Sequence, residues 1–316
     1  MVDVATLFSA TVTGVGIGAL YALVAMGFSL IYKVTGVLNF AQGQLALVGA
    51  YGVVLFTSPD VIGFMPAWVP GLSPWLGLLT TILVGVALGI FLERLVFRHF
   101  IGEPVLSVII VTLALGGIFS GLLSYLVGRN FRAYPDALLP DWNIPLLFDT
   151  SINAAFAIGV VLSLLVVIVL MLFFRYTVLG SILRAAASDE QAAMVLGVSI
   201  EWTIIVAWTI SITITAIGGV LLAVANGGAG FTIEAVGIII FAAVVFGGLD
   251  SVLGAFIGAI VVGLLQQYGA AMFEGGATAI ADFGPGFGQI LPLIFLLLVI
   301  VVKPYGLFGT ERIERL

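Results

Sequence analysis

Cysteine is absent from this chain, so no disulfide, thiolate metal site or thiol nucleophile is available. Histidine occurs once, at His99, which excludes a histidine-based zinc site or a catalytic triad built within the chain. Charge is scarce: Asp, Glu, Lys and Arg make up 8% of 316 residues, against about 25% in an ordinary soluble domain. With 62% hydrophobic residues, too few polar side chains exist to cover a soluble surface, and disorder is excluded for the same reason. The two lysines, Lys33 and Lys303, do not follow glycine-rich turns, and no G-x-x-x-x-G-K-[ST] occurs, so this chain does not cradle ATP phosphates through a P-loop. No H-E-x-x-H or G-x-S-x-G motif supports an intramembrane enzyme. The net charge of −6 is thinly spread, and no basic patch points to nucleic acid. What remains is an all-α polytopic membrane helix bundle, one domain over residues 1–316 embedded in membrane lipid.

Segments of roughly 20 apolar residues mark the spans: 8–32, 38–57, 75–97, 104–127, 151–174, 202–226 and 252–273. Two shorter runs, 235–249 and 287–302, bring the expected count to nine, with eight or ten if a short one is re-entrant. No basic stretch precedes the first run and no A-x-A site follows it, so no cleavable signal is expected. Lys and Arg set the orientation. With the N-terminus outside, Lys33, Arg94, Arg98, Arg175, Arg184, Lys303, Arg312 and Arg315 fall inside, and only Arg129 and Arg132 outside. The glycine pairs Gly14/Gly18, Gly85/Gly89, Gly117/Gly121 and Gly254/Gly258 have the four-residue spacing that lets helix backbones approach.

The span interiors hold almost no ionisable groups; Glu93 and Arg94 lie at the inner end of the third span. An ion-coupled carrier usually keeps a charge at mid-membrane, and an ion channel a charged ring or carbonyl filter. The pattern is that of a conduit without its own energy source, which implies a partner that supplies one.

Two polar features stand out. At the head of the second run, Asn39, Gln42 and Gln44 are uncharged groups that both donate and accept hydrogen bonds. At membrane depth they must face the bundle or a wet path, either bonding between helices or touching solute. The second feature is the loop from about 175 to 201. There Ser188 and Gln191 form a capping box, Asp189 and Glu190 occupy the first turn, and Gly197 is placed for a left-handed C-cap. This predicts a helix of about eight residues, too short to be stable alone, with Ala192, Ala193 and Leu196 offering an apolar face for docking.

Gly18-Ala19-Leu20-Tyr21-Ala22-Leu23 through Asn39-Phe40-Ala41-Gln42-Gly43 resembles the opening of the branched-chain amino acid ABC importer permeases. Gly180, Leu183-Arg184-Ala185, Asp189, Ala193 and Leu196-Gly197 resemble that family's cytoplasmic coupling loop. Phe246-Gly247-Gly248-Leu249-Asp250-Ser251 resembles its glycine-rich segment, and the run from Lys303-Pro304 to Gly309 its C-terminal motif. Gln42 stands where the family commonly has histidine, and Asp250 where it has glycine. The resemblance implies the smaller of two paralogous permeases in the inner membrane of a bacterial cell. Its implied partners are the second permease, two cytoplasmic ATPases that carry ATP and Mg, and a periplasmic or extracellular binding protein. No cofactor is expected on this chain. The implied function is inward transport of leucine, isoleucine or valine by ATP-driven alternating access, with urea, short-chain amides or aromatic acids as alternative solutes. An ion-coupled secondary carrier is a further alternative. Gly180, Arg184, Ser188, Asp189, Glu190, Gln191 and Gly197 are then expected to couple to the ATPase, and Asn39, Gln42 and Gln44 to line the path.

Overall fold

A computed structural model describes residues 4–62, 69–100, 102–134, 138, 143–147, 150–188, 190–274, 280–303 and 305–309. Its helices are α1 (Val4–Thr35), α2 (Gln42–Thr57), α3 (Pro74–Leu95), α4 (Val105–Val127), α5 (Ala154–Tyr176), α6 (Val178–Ser188), α7 (Glu190–Val195), α8 (Ile200–Ala225), α9 (Val236–Gly247), α10 (Val252–Phe273) and α11 (Phe287–Val302). Each of the nine apolar runs is a helix. Among the described residues, six helices (α1, α3, α4, α5, α8 and α10) are long and apolar enough to cross a membrane. The other three are short. At about 1.5 Å per residue, the 12 residues of α9 reach about 18 Å, well under the roughly 30 Å of a bilayer core.

α1 is the axis of the bundle. From Ala19 to Ile31 it is almost wholly buried, wrapped by α8, α10 and α5. α3, α4 and α5 lie outside and expose apolar faces, including Leu83, Ile110 and Ile168, as helices facing lipid or another subunit must. Glycine permits the inner contacts. A Cβ on Gly18 would stand 2.7 Å from the Ile260 backbone of α10, and one on Gly219 would stand 1.9 Å from the Ala46 carbonyl. Both members of the Gly14/Gly18 and Gly254/Gly258 pairs make such contacts, as does Gly89 but not Gly85; nothing lies within 4 Å of Gly117 or Gly121.

The pairing pattern repeats. α2 packs on α8 as α9 packs on α1, α3 packs on α8 as α10 packs on α1, and α2 meets α4 as α9 meets α11. Val24 opposes Gly218, and Gly43 opposes Gly237; 218 minus 24 and 237 minus 43 both give 194. Because α1 and α8 run in opposite directions, the two groups of helices form an inverted repeat about an axis through these contacts, an arrangement that places a site where the halves meet. At one end of the bundle, Arg132–Ala133 pairs antiparallel with Gly228–Ala229, and Asn143–Pro145 pairs with Ser151–Asn153. Tyr134 is buried there and donates to the Ala50 carbonyl at 3.0 Å. Burial pushes its phenol far above the ordinary range, so it remains a donor.

Candidate functional site

The 32 residues of α1 make a helix of about 48 Å, longer than the bilayer core. The chain turns at Gly36, where φ is +67°, and climbs back before α2 begins. Gln42, the first residue of α2, meets Val24, about three turns back from the end of α1. α2 therefore starts inside the membrane, where its backbone polar groups need partners. Side chains supply them. Asn39 Oδ1 accepts from the Ala41 N–H at 3.1 Å, and Asn39 Nδ2 donates to Gln42 Oε1 at 2.7 Å. Gln42 Nε2 donates to Thr215 Oγ1 at 2.5 Å and to the Val24 carbonyl at 3.3 Å. The Phe40 N–H donates to Thr112 Oγ1 at 3.2 Å. Asn39 and Gln42 are each 1% exposed.

The second half builds the same device. After α8 the chain turns at Gly227, with φ +70°, and dips through a 3-10 turn, Phe231–Ala235, into α9. The α2 and α9 N-termini touch backbone to backbone at Gly43 and Gly237. A Cβ on Gly43 would stand 2.2 Å from the Glu234 carbonyl and 2.9 Å from the Gly237 nitrogen. Glu234 sits at the head of α9, where the helix dipole favours a carboxylate. Its Oε2 accepts from Ser120 Oγ at 2.9 Å. Its Oε1 lies 3.5 Å from Arg129 Nη2, and the Arg129 guanidinium covers the Phe231 ring at 4.6 Å.

Between these half-helices lies a cleft of about 420 Å³, lined by Phe28, Asn39, Phe40, Gln44, Glu234, Ala235, Gly237, Ile238 and Phe241. Its walls are mostly apolar, with a few convergent polar groups, as solute sites generally are. Gln44 Oε1 is buried without a hydrogen-bond partner. Of the three amides expected on a path, Asn39 and Gln44 line the cleft. Gln42 does not: its amide is spent on Asn39, Val24 and Thr215, and it locks α2 to α1 and α8. Glu234, in the 3-10 turn just ahead of the 235–249 run, is a cleft residue outside the set expected from the sequence. Its signal was an acidic residue at the head of an apolar run too short to cross, as the amides stand at the head of the 38–57 run.

On the opposite side, the loop from 175 to 201 forms two helices: α7 occupies the stretch expected after Ser188, and α6 precedes it. The apolar spacing Gly180, Leu183, Ala186 extends helix upstream, and those residues are the buried ones of α6. Thr177 caps α6, accepting from the Gly180 N–H at 2.9 Å while donating to the Phe173 carbonyl at 2.7 Å. Ser188 ends α6, and its hydroxyl donates to the Arg184 carbonyl at 2.9 Å. A Cβ on Gly180 would stand 2.1 Å from the Phe173 carbonyl, so glycine seats α6 against α5. Arg184 donates to the Phe174 carbonyl and to Ser181 Oγ, tying α6 to the end of α5. Asp189, and the side chains of Glu190 and Gln191, lie outside the described residues. Gly197 has φ +86°. Its N–H donates to Met194 O at 2.9 Å and the Val198 N–H to Ala193 O at 3.0 Å, which is the Schellman pair. Ala193 is buried with Ala186 and Ile200, with Val198 packed against them. Met194, Val195 and Leu196 are left exposed at the tip.

The glycine-rich and C-terminal segments meet each other. Leu307 and Phe308 N–H groups donate at 2.9 Å to the Phe246 and Gly247 carbonyls, satisfying the open end of α9. Ser251 Oγ accepts from the Gly254 N–H at 3.0 Å and caps α10, while Lys33 Nζ donates to the Asp250 carbonyl at 3.1 Å.

The chain is similar to known proteins over almost its full length. It is 26% identical over 309 residues, covering 96% of this chain and 95% of the relative, to the high-affinity branched-chain amino acid transport system permease protein LivH of Salmonella typhimurium. It is 27% identical over 318 residues, 96% of each chain, to the permease protein BraD of Pseudomonas aeruginosa. To the probable branched-chain amino acid transport permease protein LivH of Methanocaldococcus jannaschii it is 29% identical over 310 residues, with 94% and 91% covered. No solved structure matches it. Residues 10–302 match the family described as branched-chain amino acid transport system / permease component; the bundle with a polar cleft between two half-helices is a member of that permease family, a multi-pass membrane transport component.

Proposed function

We propose that this chain is a membrane subunit of an ATP-driven importer for branched-chain amino acids, paired with a second permease, two ATPases and a binding protein in a bacterial inner membrane. The observation that carries the reading is the cleft where α2 and α9 begin. It is of solute size, apolar on most walls and polar at a few points, and it sits where two inverted halves meet. Its occupant comes from the relatives, whose names specify branched-chain amino acids. ATP and Mg belong to the partner ATPases. The exposed Met194, Val195 and Leu196 at the tip of α7 are the surface that meets them, held rigid by the Gly197 cap. Asn39 and Gln44 contact solute, and Gln42 keeps α2 in place.

An ion-coupled carrier would use a carboxylate at depth. Here Glu234 is bonded to Ser120 and faced by Arg129, which suits solute contact better than proton exchange. The test is reconstitution of the chain with its partners in proteoliposomes. Labelled leucine uptake is expected to need ATP and the loaded binding protein and to survive a protonophore. Uptake by this chain alone, or uptake abolished by the protonophore with ATP present, would refute the proposal.

A further inference from the structure

Neutral solutes and monocarboxylates have no use for a cation and an anion side by side, yet Glu234 of the cleft lining has a cation beside it. Arg129, in the loop after α4 and outside the lining itself, faces Glu234. At 3.5 Å their contact is longer than the roughly 2.7–2.9 Å of a tight charge-assisted hydrogen bond. Arg129 is 63% exposed, so the pair is loosely held and gains little from its own attraction. Each member has a second anchor that survives separation: Phe231 beneath the guanidinium, and Ser120 with the α9 N-terminus at the carboxylate. Gln44, a residue of the same lining, carries a buried Oε1 without a donor, packed toward Gly116 of α4. Phe28, Phe40 and Phe241 form an apolar cluster beside it, with ring centroids 6.2 Å apart for Phe28–Phe241 and 5.7 Å for Phe40–Phe241.

We infer that the Arg129–Glu234 pair is a recognition site for the zwitterionic head of an α-amino acid. The solute inserts between the two charges: its ammonium donates to Glu234, its carboxylate accepts from Arg129, and its apolar side chain lies against the three phenylalanines. One loose pair is exchanged for two. The inference rests on the transport reading above and narrows it, since urea and amides lack both charges and a lone carboxylate meets Glu234. Arg129 and Glu234 are then specificity-determining residues of this membrane subunit, separate from any selection by a binding protein.

The test uses the full complex in proteoliposomes and reads leucine uptake beside ATPase activity stimulated by the loaded binding protein. In Glu234→Gln and Arg129→Gln, uptake is expected to fall about tenfold or more while stimulated ATPase activity holds within about twofold. The double variant Arg129→Glu with Glu234→Arg keeps an ion pair but reverses it, and its uptake is expected to stay low. Recovery of the reversed pair to within about twofold of the unmodified complex would make the pair a structural tie and overturn the inference, as would unchanged uptake in Glu234→Gln. Should the neutral variants fail to assemble, Glu234→Asp and Arg129→Lys keep both charges. They are expected to lower uptake a few-fold with stimulated ATPase unchanged, and full uptake in both would count against the site. Failure of the unmodified complex to import leucine refutes the importer reading instead, so the two failures are told apart.

Discussion

At the scale of single residues, two buried polar groups of the bundle have opposite worth. Gln42 makes three hydrogen bonds and is 1% exposed. Gln42→Leu strands Asn39 Nδ2 and Thr215 Oγ1 in an apolar interior and is expected to cost about 1–3 kcal/mol, read as a lower thermal midpoint of the purified complex. Glu93 is 0% exposed, and neither carboxylate oxygen has a hydrogen-bond partner. An unbonded carboxylate there is costlier than an amide. Glu93→Gln is therefore expected to raise the midpoint by roughly 3–8 °C; a drop would show that the carboxylate is held by its cationic neighbours Arg98 and Arg94. The sequence marks Gln42 as polar and deep, but the choice between structure and path turned on Thr215, which lies 173 positions away. No local pattern reports that distance.

At the scale of elements, the nine apolar runs were legible because hydropathy alone specifies them. The depth at which α2 begins was not, because it follows from the excess length of α1 and from a turn at Gly36. The loop from 175 to 201 shows the same division. Gly197 as a left-handed cap was readable from its place after Val195-Leu196, since glycine adopts positive φ without strain. Ser188 was legible only in part: a helix, α7, does follow it and ends before Gly197, but the Gly180–Leu183–Ala186 stripe builds a second helix, α6, that Thr177 caps and that ends at Ser188 itself. The cap at Gly197 gives a prediction for the element. Gly197→Ala strains the φ of +86° by about 1 kcal/mol, loosening α7 against Ala186 and Ile200. Uptake per ATP hydrolysed is expected to fall, whereas Gly197→Asn, which tolerates the left-handed region, retains it. Equal behaviour of the two variants would show that helix rigidity is not what transmits the stroke.

At the scale of the whole molecule, the inverted repeat and the charge bias make a joint claim about sidedness. If α1–α4 and α8–α11 are related by an axis in the membrane plane, α2 must run toward one face and α9 toward the other from their common starting depth. The basic residues then choose which face is which: Arg98, Arg175 and Arg184 lie with α6 and α7, while Arg129 and Arg132 lie with the short strands. The same axis explains why a site of two inverted parts needs polar groups on both short runs, Asn39 and Gln44 on one and Glu234 on the other. Since the chain has no cysteine, single-cysteine variants report sidedness without background. Leu196 at the tip of α7 and Leu147 between the outer strands are 83% and 70% exposed. Leu147→Cys is expected to react with a membrane-impermeant maleimide in right-side-out vesicles and Leu196→Cys only in inverted ones. Labelling of both positions from one side would break the inverted relation between the halves, and with it the convergence of α2 and α9 on a shared cleft.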